Sequence, residues 1–223
     1  MLSSDTSDDR SQPFGGIPST LALETAVPLR NALSRDFDQT QPGPAGQPCL
    51  IVLSGLPGTG KSHFANELRK RLPLLVLESD RLRKVLAPNP RYTRGESHRL
   101  FAAYHLLIEE YLIQDRLVLL DATNLTEDFR QPLYDIAQRV AVPLVLVRLT
   151  APQEIVRQRL SDRGAGMHPS DYSDAGWLIY SRMHPHEEVF ARNHLNVDSS
   201  KDISEALEEV VRLVKGDNRA TLA

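Results

Sequence analysis

The stretch Gly55 to Ser62 reads GLPGTGKS and decides the fold. It matches the phosphate-binding pattern G-x-x-x-x-G-K-[ST], the Walker A motif, at every fixed position. The apolar run CLIVL, Cys49 to Leu53, precedes it, and a helix-like segment, Ser62 to Leu72, follows it. Strand, loop and helix in this order are the context that the motif requires. The sequence therefore predicts a binding site for a nucleoside triphosphate.

Each part of this loop has a physical role in holding phosphate. Glycines allow backbone dihedrals that turn successive N–H groups inward, and the following helix adds its positive N-terminal end. Lys61 can reach the terminal phosphates as a point charge, and the Ser62 hydroxyl is placed to ligate Mg²⁺. The residues assigned to ATP binding are Gly55, Leu56, Pro57, Gly58, Thr59, Gly60, Lys61, Ser62 and His63.

Apolar runs alternate with helical patterns along the rest of the chain. This alternation predicts an α/β fold with a parallel sheet covered on both faces. Strands are predicted at Cys49 to Leu53, Leu74 to Leu77, Leu117 to Leu120, Leu144 to Leu149 and His194 to Val197. Helices are predicted at Ser62 to Leu72, Ser79 to Leu86, Gly95 to Gln114, Thr126 to Val140, Pro152 to Asp162 and Asp202 to Lys215. Ligands of such sheets bind beyond the carboxyl ends of the strands.

Length and composition are ordinary for a globular protein. The 223 residues suggest one main domain, and a net charge of −3 argues against a surface coated with cations. Cys49 is the one cysteine, which excludes an internal disulfide and a cysteine-based zinc cage. Because no apolar stretch approaches the roughly 20 residues that span a bilayer, and the N-terminus lacks a secretory pattern, we expect a cytoplasmic protein.

The N-terminal region differs in composition from the rest. Polar, proline and glycine residues dominate Met1 to Pro18, and Gln41 to Pro48 reads as a linker. We therefore expect a flexible extension over residues 1–47, a catalytic domain over 48–216 and a tail over 217–223. Within the extension, Thr20 to Phe37 has weak apolar spacing that Pro28 interrupts, so it predicts at most a short docked helix without an assigned function.

Asp80 follows the second predicted strand and is a candidate general base. In-line phosphoryl transfer needs an acceptor oxygen that is oriented and relieved of its proton, and an aspartate can do both. The alternative is that Asp80 or its neighbour Ser79 only caps the following helix.

Asp121 follows the third predicted strand. This is the position of a carboxylate that holds Mg²⁺ directly or through water. Alternatively, it caps the next loop. Thr123 and Asn124, just beyond it, can contact the acceptor or the triphosphate, whereas Asn124 equally fits a residue that only shapes the turn.

Arg159 and Arg163 lie four residues apart and therefore share one helix face. Phosphoryl transfer spreads negative charge over the moving group, and guanidinium forks match that distribution. Gly164, Gly166 and a polar stretch to Asp174 would let this segment close over the nucleotide. The alternative is an ordinary solvated helix face.

Four motifs together resemble one family of phosphotransferases. They are Gly55 to Ser62, Asp80-x-x-Arg83, Asp121-Ala-Thr-Asn-Leu125 and Arg159-x-x-x-Arg163-Gly164. They look like the P-loop kinase family that includes the phage-type polynucleotide 5′-hydroxyl kinases and related small AAA-type kinases, and the resemblance covers roughly residues 48–182.

This resemblance implies a three-layer fold with a parallel sheet in the order 2-3-1-4-5 and a helical lid. It implies that Asp80 activates a 5′-hydroxyl, that Arg83 grips a substrate phosphate, and that Arg159 and Arg163 form the lid. ATP and Mg²⁺ are the implied cofactors.

The phosphoryl acceptor stays open, because fold and triphosphate site do not choose it. The basic residues between Arg81 and Arg99, with Tyr92 among them, suit contacts to nucleic acid, although such a stretch is also ordinary solvated surface. The preferred acceptor is a nucleic-acid or nucleotide 5′-hydroxyl, and a sugar or antibiotic hydroxyl comes second. A nucleotide-dependent ATPase or switch that binds a protein partner is the alternative from a different class.

Overall fold

Five parallel strands form the centre of the molecule. The computed structural model describes residues 19–40, 47–91, 93–164 and 176–216. The strands β1 to β5 are Cys49–Ser54, Leu74–Glu78, Leu117–Asp121, Leu144–Thr150 and Leu195–Asp198. They pair in the order β2-β3-β1-β4-β5. This arrangement confirms both the parallel sheet and the strand order that the family resemblance implied.

Helices cover both faces of this sheet. In chain order, α1 to α8 are Ser19–Thr40, Lys61–Arg69, Ser79–Leu86, Arg94–Ile113, Glu127–Val140, Gln153–Gly164, Trp177–Met183 and Ser204–Lys215. A 3₁₀ turn, His184–His186, follows α7. Within the described ranges, none of these helices combines the length and apolarity needed to cross a bilayer.

The alternation of side chains along β1 explains the two layers. Leu50 and Val52 point into a core formed with α1, α3, α4 and α5. Ile51 and Leu53 point into the opposite core, formed with α2 and α8. Because both faces of β1 are covered, all six of its residues are buried, and an unbroken apolar run is the expected sequence for such a strand.

Helix α1 lies within the predicted N-terminal extension, in the stretch that predicted at most a short docked helix, and it packs on α3 and α4. Ala26, Leu29 and Leu33 have no exposed surface, and they lie on one face of α1. Burying the two leucines contributes about 3–6 kcal/mol. That gain matches or exceeds the roughly 3 kcal/mol that Pro28 costs inside a helix. Tertiary packing, which the local sequence does not display, therefore decides the structure of this segment.

An ion pair further attaches α1 to α4. Arg30 of α1 donates through Nε and Nη2 to the two carboxylate oxygens of Glu110, at 3.0 Å and 2.6 Å. Both side chains are about one-third exposed, which limits such a pair to at most about 1 kcal/mol. The fork fixes the register of α1 more than it adds stability.

Candidate active site

The phosphate-binding loop connects β1 to α2 at the carboxyl edge of the sheet. Gly55 begins it with a φ of 149°, and a Cβ built there would lie 2.4 Å from the Leu149 carbonyl oxygen. Both the dihedral and the contact exclude a side chain, so only glycine fits. The Gly55 N–H donates to the Thr123 carbonyl oxygen at 3.0 Å. The start of the loop is thereby tied to the segment that follows β3.

Three side chains of the loop serve its shape. Leu56 is buried and packs with Val156 and Leu160 of α6. The Thr59 hydroxyl donates to the Leu56 carbonyl oxygen at 2.8 Å, and Pro57 is buried. Of the residues assigned to ATP binding, Leu56 and Thr59 therefore have at most their backbone N–H groups to offer to a phosphate, and Pro57 has no N–H to donate.

Lys61, Ser62 and His63 form the first turn of α2. Their N–H groups lie at the N-terminal end of the helix, where an anion is favoured. The His63 side chain is exposed. The Lys61 ammonium donates to the carbonyl oxygens of Gly55, at 2.9 Å, and Leu56, at 3.1 Å. Its charge is therefore held at the loop, where the phosphates would lie.

Ser62 and Asp121, the two residues predicted to hold Mg²⁺, are in direct contact. The Ser62 hydroxyl donates to Asp121 Oδ2 at 2.7 Å. Mg²⁺ prefers oxygen ligands, keeps several waters and is usually held by one or two protein groups plus substrate phosphates. Among the described residues there is no group of three or more acidic, histidine or cysteine side chains able to cage a metal. The Ser62–Asp121 pair therefore fits a magnesium ion that arrives with its nucleotide.

Asp121→Asn is expected to raise the Mg²⁺ concentration for half-maximal nucleotide binding at least about tenfold, because a neutral amide is a poorer ligand for a hard cation. Titration of MgCl₂ into protein with a fluorescent ATP analogue measures it. Asp115→Asn is the matched control, since Asp115 is exposed and its φ of 56° suits asparagine equally well. Equal magnesium requirements in the two variants would contradict the assignment.

A second group of charges surrounds the buried Tyr104 of α4. The Tyr104 hydroxyl donates to the Ser79 carbonyl oxygen at 3.3 Å, at the start of α3. Burial raises the pKa of Tyr104 well above its ordinary value, so the hydroxyl stays protonated. The charges that act on it are those of Arg83, Asp80, Glu78 and Asp121. Asp80, in the first turn of α3, and the buried Arg83 therefore share one neighbourhood with Asp121.

Thr123 and Asn124, the two polar candidates in the turn after β3, differ in their surroundings. Asn124 is buried with a φ of 44°, and its Nδ2 donates to the Leu53 carbonyl oxygen at 2.8 Å. This geometry favours the alternative in which Asn124 shapes the turn. Thr123 is half-buried and remains a candidate for substrate contact.

Arg159 lies at the phosphate-binding loop with its fork occupied by protein oxygens. It donates to the hydroxyl and the carbonyl oxygen of Ser199, at 2.9 Å and 2.8 Å, and to the Gly58 carbonyl oxygen at 3.3 Å. The Ser199 hydroxyl in turn donates to the Thr59 carbonyl oxygen at 2.7 Å. Arg159 thus braces the loop against the segment after β5. The Arg163 side chain, the lid stretch from 165 to 174 and Tyr92 lie outside the described parts of the chain.

Two residues of this region carry no assignment from the sequence. Ser199 follows β5 at the carboxyl edge, the same positional signal that marks Asp80 and Asp121. Arg130 of α5 has no exposed surface and donates to the carbonyl oxygens of Asn124 and Leu125, both at 3.1 Å. Its spacing of three from Glu127 predicts only an ordinary helical ion pair, so burial is visible only in the fold.

The loop, the serine–aspartate pair and the strand order together define a P-loop nucleotide-binding protein with a kinase-type fold. The model of a known family, described as AAA domain, matches residues 50–183. The chain belongs to this AAA domain family.

Curated relatives match this chain over about half its length. A KTI12 homolog of Rattus norvegicus is 33% identical over 111 residues, which are 46% of this chain and 31% of that protein. The L-seryl-tRNA(Sec) kinase of Methanococcus maripaludis is 28% identical over 120 residues, which are 52% of this chain and 46% of that protein. The chain thus spans less than half the length of these relatives.

Solved structures share the fold at low sequence identity. Chaetomium thermophilum Kti12 in complex with ADP-AlF3 has a TM-score of 0.61 at 19% identity, covering 74% of this chain and 98% of that one. The Mycobacterium tuberculosis APS kinase CysC in complex with AMPPNP and APS has a TM-score of 0.58 at 18% identity, covering 78% and 99%. Both bind an adenine nucleotide or its analogue on this fold.

Proposed function

We propose that the protein is a magnesium-dependent kinase that transfers the γ-phosphoryl group of ATP to a hydroxyl, with a nucleic-acid or nucleotide 5′-hydroxyl as the preferred acceptor. The observation that carries the proposal is that Glu78, two residues before Asp80, pairs with Asp121 across β2 and β3, while Asp121 contacts Ser62 of the phosphate-binding loop. A nucleotide-hydrolysing switch needs the phosphate-binding loop and the Ser62–Asp121 pair. It does not need a further carboxylate and guanidinium for an acceptor.

The residues divide the reaction between them. Lys61 and the first turn of α2 bind the phosphates, and Ser62 and Asp121 hold Mg²⁺, which neutralises charge that develops on the triphosphate. The acceptor oxygen forms a bond to the γ-phosphorus while the bond between that phosphorus and the bridging oxygen breaks. Asp80 orients the acceptor hydroxyl and takes its proton. Arg83 binds a phosphate of the acceptor, and Arg163 supplies positive charge to the moving group.

One relative supports an acceptor attached to nucleic acid. The Methanococcus maripaludis protein described above is, by its name, a kinase of a seryl group carried by a tRNA. A hydroxyl at an RNA end or on a group attached to RNA is therefore a reasonable acceptor for the present site. The buried guanidinium of Arg83 beside Asp80 suits a neighbouring phosphate, because an ion pair in a shielded site is stronger than one in water.

The switch hypothesis stays as the second candidate because of the other relatives. Each of these KTI12 homologs matches 46% of the chain and carries no kinase name. A transfer assay decides between the two. Labelled γ-phosphate from Mg·ATP is offered to 5′-hydroxyl DNA and RNA oligonucleotides, tRNA, nucleosides and sugars, with 5′-phosphorylated oligonucleotides and no acceptor as controls.

Label on an oligonucleotide or tRNA supports the proposed acceptor class, and label on a sugar or nucleoside moves the protein to small-molecule substrates. Phosphate released at the same rate with and without every acceptor favours the switch. The 5′-phosphorylated control separates an end hydroxyl from other hydroxyls of the same RNA.

Arg83→Gln is expected to raise the acceptor KM at least about tenfold with a smaller change in the KM for ATP, because a phosphate contact is lost on the acceptor side alone. For a nucleic-acid acceptor, the slope of log KM against log salt should also fall by about one. Arg212→Gln is the control, since Arg212 is exposed on α8, on the opposite face of the sheet. A normal acceptor KM in the Arg83 variant would remove that residue from the acceptor site.

A further inference from the structure

Arg130 is a fully buried charge that the proposed reaction does not use. It lies on α5 with no exposed surface, and its guanidinium packs 4.0 Å from the centre of the Phe190 ring. An unpaired charge in such a place would be strongly destabilising. The arginine is retained here because all of its N–H groups are satisfied, and the identity of their acceptors indicates what it does.

One edge of the guanidinium holds the turn after β3. Nη1 donates to the carbonyl oxygens of Asn124 and Leu125. Asn124 also connects the turn to β1, because its side-chain amide donates to the Leu53 carbonyl oxygen. The Ser54 hydroxyl donates to the carbonyl oxygens of Thr123 and Asn124, at 3.1 Å and 3.0 Å. The turn is therefore fixed between Arg130 and the end of β1.

The other edge holds a segment that follows the 3₁₀ turn, residues 187–191, which we call the strap. Nη2 donates to the carbonyl oxygens of Glu188 and Val189, both at 3.2 Å. The Glu188 N–H donates to the Leu125 carbonyl oxygen at 2.9 Å, and the Glu188 carboxylate accepts from the Glu127 N–H at 2.7 Å. The strap thus closes over the same turn from outside.

Glu127 completes the arrangement. Its Oε1 accepts from Arg130 Nε at 2.8 Å and from the Ala191 N–H at 3.0 Å. The carboxylate balances the buried guanidinium charge and binds the strap in the same step. The turn is therefore hydrogen-bonded to α5, β1 and the strap.

This turn adjoins the Ser62–Asp121 pair, which fits a magnesium ion. It starts one residue after Asp121, whose carboxylate lies 2.7 Å from the Ser62 hydroxyl, and Thr123 within it accepts from the N–H of Gly55. A shift of the turn would change the placing of both the aspartate and the first residue of the phosphate-binding loop. Ligands that are held in place by neighbouring groups bind metals about 10–100-fold better than ligands that are not.

We propose that Arg130 is a positioning residue for the magnesium–nucleotide site, acting through the Asn124 turn on Asp121 and Gly55. This inference rests on the nucleotide and magnesium part of the proposed function and is independent of the acceptor. A residue that only stabilises the fold would not change how much Mg²⁺ improves nucleotide binding. A positioning residue would change that improvement.

The test measures that improvement directly. The dissociation constant of a fluorescent ATP analogue is measured in EDTA and in MgCl₂, and their ratio is the gain from magnesium. A loss of folded protein lowers the signal but leaves the ratio unchanged. Thermal unfolding by circular dichroism sets a temperature at which every variant is folded.

Arg130→Met and Asn124→Gly are each expected to lower the ratio about tenfold. Glycine at position 124 keeps the positive φ and removes the amide link to Leu53, so this variant stays informative where Arg130→Met fails to fold. Arg130→Lys, which keeps the charge and loses the fork, is expected to lie in between. Arg139→Met on the same helix is the control, because its ion pair with Glu109 is exposed and distant from the turn.

A wild-type ratio in folded Arg130→Lys and Asn124→Gly protein would overturn the inference, as would an equal loss in Arg139→Met. The transfer assay is separate from this test. If the protein phosphorylates no acceptor but the variants show lowered ratios, the kinase proposal is wrong and the positioning role stands. If it phosphorylates an acceptor and the variants show wild-type ratios, the kinase proposal stands and the positioning role is wrong.

Discussion

Asp80→Asn is expected to lower phosphoryl transfer by about 10²–10⁴-fold, the range that a lost general base produces. The dissociation constant for Mg·ATP should stay within about threefold of wild type, since the proposed role of Asp80 is toward the acceptor and the amide keeps the shape of the side chain. The position of Asp80 in the first turn of α3, beside Arg83 and Tyr104, is the structural reason for this split.

The measurement is single-turnover transfer to the acceptor found in the panel assay, paired with equilibrium nucleotide binding. Asp128→Asn provides a matched control, because Asp128 occupies the first turn of α5 and is exposed. Both substitutions remove a favourable charge at a helix N-terminus, which contributes about 0.3–1 kcal/mol. If the two variants transfer phosphate at similar rates, Asp80 is a helix residue and the base must be sought elsewhere.

Gly55→Ala is expected to weaken ATP binding at least about 100-fold and to lower the free energy of unfolding by about 2 kcal/mol or more. A methyl group would meet the Leu149 carbonyl oxygen at 2.4 Å and the Thr59 hydroxyl at 2.7 Å, on a backbone with a φ of 149°. Since Leu149 belongs to β4, the clash cannot be relieved without moving the sheet or the loop.

Gly95→Ala is the control for that substitution. Gly95 lies in the first turn of α4, exposed, with no atom within 4 Å of a built Cβ. Alanine there should leave ATP binding unchanged and raise the free energy of unfolding by about 0.4–1 kcal/mol. Denaturant unfolding and nucleotide titration of both proteins provide the comparison. Intact nucleotide binding in Gly55→Ala protein would show that the loop tolerates a side chain where the geometry excludes one.

The sheet could be predicted from sequence because its signals are local. Each buried strand is a short apolar run, and the loop motif fixes where β1 ends and α2 begins. The position of Asp121 next to Ser62 follows from the same logic, since the carboxyl ends of neighbouring parallel strands meet at one edge. Helix α1 could not be predicted in the same way, because the burial that offsets Pro28 comes from α3 and α4.

Long-range contacts also explain what the sequence left open at the site. Arg159 lies at the phosphate-binding loop, and only the fold shows Ser199 opposite it. The sequence equally allowed Asn124 to bind substrate or to shape a turn, and its burial and its bond to Leu53 favour the turn. Arg130 differs in no local way from a surface arginine, since the strap that encloses it lies about 60 residues further along the chain. Charged residues enclosed by distant segments are the class that sequence patterns miss.

Helix α1 has a consequence for where this protein can be divided. The match to the AAA domain begins at residue 50, after α1 has ended. A fragment cut there would lack α1 and uncover the sides of α3 and α4 on which α1 packs, and an apolar surface of this kind tends to self-associate. The match to the family model therefore leaves out a helix that packs on the domain. A fragment used to study catalysis should therefore include α1, from residue 19 onward.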